Sequence, residues 1–328
     1  MPHFDVSTLY DGPLVSVTDV RCRAPVAPCG EEEYASAHQL IFTRAGVFVK
    51  HAAARGRREV VAEPSRALFF NAGERYRVSH PVPGGDECTE LAFAPEAAVE
   101  VAAAYQPAAS DRPDRPFDRT HALVPPAALL GYHRLRRALR RAAAGGAPVS
   151  ELAAEEESLA LLGAMLSAAR ADAPEGAPRL GTRTLRAYQD LAEAVKEVLA
   201  ARPGDSHPLT ALARLVGTSP FHLARVFRDR TGLPVHQYLL RLRLALALER
   251  LGDGVAAIGA LAVDLGFASH SHFTAAFRRT FGVAPGEVRC ALGAPGRGWA
   301  RARRPSSDWR PSGSRPHLEP PDRPLTDR

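Results

Sequence analysis

Two stretches of this chain repeat one another at a nearly constant offset, and no other feature restricts the fold as tightly. Leu212, Ala213 and Gly217 recur 49 residues on as Leu261, Ala262 and Gly266, while Leu223, Phe227 and Gly232 recur 50 residues on as Phe273, Phe277 and Gly282. The one-residue slip falls in a turn, where an insertion costs least. In each copy an apolar run at helical spacing stops at a glycine and resumes after a serine, Ser219 or Ser269, which predicts two helices joined by a tight turn. Such a turn needs a residue that tolerates positive φ, supplied by Gly266, and Ser269 can accept a hydrogen bond from the free N–H groups that open the next helix. In the second copy Phe273, Phe277 and Phe281 form one stripe that must be buried, which leaves His270, Ser271, Thr274, Arg278 and Arg279 facing outward or toward the ends. Short polar groups beside arginines on an exposed helix suit a DNA groove; a plain helical hairpin with a solvated face is the alternative.

The first copy offers Ser219, Phe221, His222, Arg225 and Arg228 for the same purpose. Between the copies, Pro234 to Leu251 reads as one long helix, with Tyr238, Leu239, Leu242, Ala245, Leu246 and Leu248 set to pack on both units and Arg241 and Arg243 as phosphate candidates. Charge is partitioned accordingly. Residues 1–178 carry 19 Arg and Lys against 23 Asp and Glu, residues 179–291 carry 15 against 9, and residues 292–328 carry 8 against 4. The positive charge of the repeat region is the electrostatic footprint that phosphate binding requires.

With these residues in view, the region from about Thr182 to Arg289 resembles the DNA-binding domain of the AraC/XylS family of bacterial transcription regulators. The second unit carries the family's most specific pattern, in Ala262, Gly266, Phe267, Ser269, Ser271, Phe273, Phe277 and Arg278, followed by Gly282 and Pro285. It departs at Leu261, where the family favours isoleucine, and at Val288, where it favours an aromatic; both keep an apolar position. The resemblance implies recognition helices at Ser219–Arg230 and Ser269–Thr280, double-stranded DNA as partner, and RNA polymerase as a second partner if the protein activates.

From Leu14 to Ala94 the pattern changes to a period of two, in the runs Leu14–Arg23, Gln39–Thr43, Val47–His51, Glu59–Glu63, Ala67–Asn71, Arg75–His80 and Glu87–Ala94. Glycine- and proline-bearing turns separate them, which predicts an all-β sandwich or barrel. The same family resemblance implies a cupin-like barrel that senses a small-molecule effector. Arg44, His51, Arg75, Tyr76 and His80 are candidates to line its pocket, against the plainer reading of a solvated strand face. A cupin enzyme would need imidazoles converging with a carboxylate on one ion, and there is no His-x-His; His38, His51 and His80 stand singly. We therefore expect no catalytic residues, no metal and no cofactor, with a Cys22/His80/Cys88 cluster as a minor possibility and a metal-dependent cupin-type enzyme with an appended DNA-binding domain as the alternative function.

The expected fold class is α+β with several domains. A sensor barrel spans residues 1–124, a helical dimerisation or packing element 125–172, a linker 173–181, an all-α tandem helix-turn-helix domain 182–291, and a disordered basic tail 292–328. In the second of these, Leu159, Leu162, Met165, Leu166 and Ala169 make a seam that suits a homodimer or packing on the barrel equally. No apolar run is long enough to span a bilayer, the start of the chain has no signal pattern, and four cysteines lie far apart, so we expect a cytoplasmic protein with reduced thiols and no membrane partner.

Overall fold

Strands fill the first part of the chain and helices the last. The computed structural model describes residues 3–26, 29–52, 57–171, 182–255 and 257–292. In order come β1 (His3–Asp11), β2 (Val15–Arg23), β3 (Glu33–Tyr34), β4 (His38–Gly46), β5 (Phe48–Ala52), β6 (Arg57–Ala62), β7 (Arg66–Phe70), β8 (Arg75–Ser79), β9 (Asp86–Phe93), α1 (Pro95–Tyr105) and β10 (His121–Leu123). Then follow α2 (Pro126–Ala143), α3 (Glu151–Ala171), α4 (Thr182–Ala201), α5 (Leu209–Leu215), α6 (Pro220–Thr231), α7 (Val235–Gly252), α8 (Ile258–Asp264), α9 (His270–Phe281) and α10 (Pro285–Leu292). The expected linker 173–181 and the tail beyond Leu292 lie outside the described residues.

The strands form two antiparallel sheets, one in the order β1-β2-β9-β4-β7-β10 and one in the order β3-β8-β5-β6. Strand alternation sends successive side chains to opposite faces. On β7, Leu68 and Phe70 point between the sheets with Phe48, Val60 and Ala62, while Ala67 and Phe69 point to a core shared with the helices. All five β7 residues are therefore buried. The barrel expected from the alternation is not closed: no ladder joins the sheets among the described residues. Closure needs a continuous hydrogen-bonded circuit, and here α2 and α3 cover the apolar face of the larger sheet instead. The seven predicted strands are present with shifted ends. β1, β3, β10 and α1 were not foreseen, although Pro95 at the first turn and Glu96 beside it are ordinary helix-start signals.

The seam on α3 is consumed inside the chain. Leu162, Met165, Leu166 and Ala169 lie at or below 2% exposure within the core that holds Leu40, Phe42 and Leu91 of the large sheet. Ser150 caps α3, accepting from the Ala153 N–H at 3.2 Å.

Helix α7 divides its length between two cores. Its first half contributes Tyr238 and Leu242 to a cluster with Leu191, Val195, Leu223, Val226 and Phe227, and its second half joins Leu244, Leu248 and Leu251 to Leu261, Phe273 and Phe277. Burying each of those phenylalanines stabilises by about 1.5–3 kcal/mol. The second core is continuous with that of the strand region, so the helical part is packed against the sheets.

Two buried polar clusters fasten the helical part to the sheets. Glu249 on α7 is 3% exposed and accepts from Arg44 Nη1 at 3.2 Å and Arg136 Nη1 at 3.3 Å, with His133 Nδ1 at 3.4 Å. Arg136 also donates to Asp19, its Nη2 lying 2.7 Å from Oδ2. Burial raises the Glu249 pKa, yet Arg136 and Arg44 outweigh it and hold the carboxyl below its ordinary value. Burial pushes His133 down to about 4 against the pull of Glu249, which keeps the imidazole neutral. In the second cluster Tyr238 Oη donates to Glu63 at 2.7 Å and accepts from Arg66 Nε at 3.3 Å. Glu193 on α4 accepts from the Val61 N–H at 2.8 Å and from Lys196 Nζ at 2.5 Å.

Candidate nucleic-acid interface

Both helix pairs are built alike from the turn outward. The turn after α5 holds Gly217 with φ +71° and the turn after α8 holds Gly266 with φ +74°, the left-handed region that a side chain disfavours. At Gly266 a Cβ would also stand 2.3 Å from the Gly204 carbonyl oxygen, so the turn has no room for one. The following helices open on side-chain caps: Ser219 Oγ accepts from the His222 N–H at 3.2 Å, and Ser269 Oγ from the His272 N–H at 3.1 Å. Each cap satisfies one of the free donors of the first turn.

The exposed face of α6 carries Phe221, Arg225 and Arg228, with Phe221 81% exposed. The matching face of α9 carries Ser271, Ala275 and Arg278, flanked by His270 and Arg279, all exposed. Several residues expected to touch DNA are already committed elsewhere. Ser219 spends its oxygen on the cap. His222 is half-buried with its ring 5.4 Å from that of Tyr188, and burial followed by Arg225 lowers its pKa. Thr274 is half-buried at the edge of the aromatic stripe, its hydroxyl covered, because at about 3.6 residues per turn it lies only about 60° round the helix from Phe277 and about 20° from Phe281.

Arg243 is withdrawn from the phosphate candidates. Its Nε donates to the Pro203 carbonyl at 2.7 Å, Nη1 to that of Gly266 at 2.9 Å and Nη2 to that of Asp205 at 2.9 Å. It staples the turn of the second unit to the end of α4, using the planar donor fork that arginine provides. Arg241 on the same helix is half-buried and remains a candidate.

In the sheets, the five residues expected to line one pocket do not converge. Arg44 is 7% exposed and belongs to the Glu249 cluster. Arg75 is exposed and pairs with Glu32 at 3.0 Å beside a shallow depression also lined by Glu33, Tyr34 and Gly73. His51 bonds Ser79 through Nε2 at 2.7 Å. Tyr76 turns to the interior, its ring 4.8 Å from that of Phe70, and His80 Nε2 lies 2.8 Å from Asp86 Oδ1. His51 stands opposite Arg77, and Tyr76 opposite Ala52, so strand alternation alone puts His51 and Tyr76 on opposite faces. The structure does bring Cys22, His80 and Asp86 together, all buried, with Cys88 donating to Asp86 Oδ2 at 3.1 Å. Asp86 stands where the sequence pointed to Cys88. The sequence pattern also missed Glu249, Asp19, Arg136, Glu63 and Glu193; a charge inside an apolar run marks Glu249 in Leu244 to Leu251, but Arg136 stands among other arginines and carries no such mark.

Known proteins share the helical part. A model described as a helix-turn-helix domain matches residues 212–291. The transcriptional regulator GlxA of Rhizobium meliloti is 40% identical over 80 residues, 24% of this chain and 25% of that protein. RclR of Escherichia coli, named as an RCS-specific transcriptional activator, is 33% identical over 96 residues, 29% of this chain and 34% of that protein. A solved AraC-type regulator from Chromobacterium violaceum is 28% identical, covering 33% of this chain and 96% of that one, at a TM-score of 0.31. The chain thus spans about a quarter to a third of the length of these curated relatives. Residues 212–291 are an AraC-type helix-turn-helix domain, and the relatives described above that share it are named as transcription regulators.

Proposed function

We propose that the whole chain is a sequence-specific, double-stranded-DNA-binding transcription regulator, controlled by a small molecule bound in its strand region. The observation that carries this is the pair of capped helices, α6 and α9, each presenting an exposed face with arginine at the same helical position, in the basic third of the chain. Two such helices on one rigid frame suit successive major-groove faces. Control by an effector is supported by the wiring: Arg44 on β4, Glu63 before β7 and Arg66 at the start of β7 reach α7, the helix that carries both units. On this reading a shift in the sheets would reach the DNA-binding helices through α7. The open two-sheet arrangement fits a cupin-like sensor, although Arg44, His51, Arg75, Tyr76 and His80 do not line one pocket.

The enzyme alternative gains nothing from the relatives, which are named as regulators. No helix among the described residues is long and apolar enough to cross a membrane. We infer a cytoplasmic protein that acts as a homodimer and meets RNA polymerase if it activates. The test is the salt dependence of DNA binding by the full chain. Replacing one phosphate-binding arginine with alanine should flatten the log–log slope by about 0.9, and a wild-type slope near zero from moderate to high salt sinks the DNA reading.

A further inference from the structure

We propose that Cys22, His80 and Asp86 form a binding site for one divalent d-block cation of the zinc class, and this holds whether or not the helical domain binds DNA. The donor atoms of the three side chains all lie within 4.8 Å of one another, and the residues are 3%, 7% and 9% exposed. Around a tetrahedral ion with bonds of about 2.0–2.3 Å, ligand atoms stand roughly 3.3–3.8 Å apart. Closing the present spacing onto an ion therefore needs side-chain shifts of about 1 Å at most, well within what rotation about their bonds allows.

The backbone is arranged to hold them. Cys22 on β2 stands directly opposite Asp86 on β9, so both side chains leave the same face of the large sheet. His80 follows β8 in the smaller sheet, and its ring crosses between the sheets to reach them. Gly85 has φ +75°, and a Cβ there would fall 2.0 Å from the Cys22 carbonyl oxygen; only glycine permits the approach that sets Asp86 beside Cys22. Cys88 donates to Asp86 Oδ2 at 3.1 Å, the kind of outer hydrogen bond that orients a ligating carboxylate.

The donor set selects the ion. One thiolate, one carboxylate and one neutral imidazole carry two negative charges, which a divalent cation neutralises in a buried site. Sulfur and imidazole together favour zinc, cobalt or nickel over magnesium or calcium, which take oxygen ligands. Three protein ligands leave a fourth position for water or an incoming donor. The hydrogen bond between His80 and Asp86 accounts for those two residues without an ion, but it does not account for a thiol held at the same point.

The experiment uses the full chain, reduced and stripped with a chelator, titrated with Co²⁺ and followed by thiolate-to-cobalt charge-transfer absorption. We expect saturation at one equivalent, displacement by Zn²⁺, and a rise in the melting temperature on Zn²⁺ addition. Cys22→Ser should abolish the charge-transfer band, and His80→Gln and Asp86→Asn should each weaken Co²⁺ binding at least about tenfold. Cys290→Ser, which alters an exposed thiol, should leave the titration unchanged. If Cys22→Ser does not fold, His80→Gln decides. Absence of saturable uptake by the wild type, or uptake unchanged by both Cys22→Ser and His80→Gln, overturns the proposal.

Discussion

At the scale of single residues the two recognition faces are unequal. Arg225 and Phe221 lie one turn apart on α6, both exposed, and an arginine there can bridge a guanine's O6 and N7 while the ring meets a thymine methyl. On α9 the same positions hold Ala275 and Ser271, which reach less far. Arg225→Ala should cost about 1–3 kcal/mol of binding and relax base preference in one half-site, whereas Arg278→Ala should weaken binding to all sequences alike. Binding of both variants to randomised half-sites checks this; a specificity loss confined to Arg278→Ala would reverse the roles. Lys196 makes a second prediction. Burial and Arg66 lower its pKa from 10.5 to about 8 against the pull of Glu193. Between those values the unfolded chain holds the proton and the folded chain has released it, so this group's contribution to stability rises with pH across the window and is flat below it. The gain is at most about 3 kcal/mol, from roughly 1.4 kcal/mol per unit. Urea melts of the wild type and Lys196→Met should therefore diverge in the wild type's favour from pH 8 to 10, and a constant difference would count against the assignment.

At the scale of elements, the paired helices depend on their caps more than on their propensity. A twelve-residue helix such as α9 is marginal in isolation. Ser269→Ala removes the acceptor of the His272 N–H and should cost about 1 kcal/mol, read as a lower melting temperature. Ser269→Asp should restore it, and failure of that rescue would show that the serine matters for another reason. The two elements should also protect half-sites about one helical turn of DNA apart on one face, which footprinting measures directly.

For the molecule as a whole, the ion clusters between sheets and helices matter most. Glu249→Ala would remove a buried carboxylate that Arg44 and Arg136 share while leaving them Asp19 and Glu87, so the loss should stay at or below the about 3–5 kcal/mol of breaking a buried pair outright. We expect a clear drop in melting temperature while the salt slope of DNA binding stays unchanged, because no phosphate-binding arginine has been removed. An unchanged melting temperature would mean that the helical part is not anchored through α7. The α3 seam is covered by the same chain's large sheet, so a homodimer must use another surface. The edge strand β1, with Phe4 at 52% and Val6 at 65% exposure, is one place where a partner strand would bury apolar area.

Local pattern alone determined the parts of this protein whose chemistry is local. The turn glycine, the serine cap and the phenylalanine stripe at Gly266, Ser269 and Phe273 each act within a few residues, so the repeat could be read with its helices nearly in place. Seven strands were legible for the same reason, since alternation is a property of neighbours. What required the tertiary structure was every pairing across a long separation. Arg243 looked like a free cation and is held by three carbonyls. Arg44, His51, Arg75, Tyr76 and His80 looked like one site and are divided between faces and networks, because which strands become neighbours is set by sheet order and not by sequence spacing. Glu249 meets Arg44 across 205 residues, and Cys22 meets Asp86 across a strand pair whose register appears only when the sheet forms. Such pairings form only after the loop entropy between distant segments has been overcome, and nothing in the intervening chain records them.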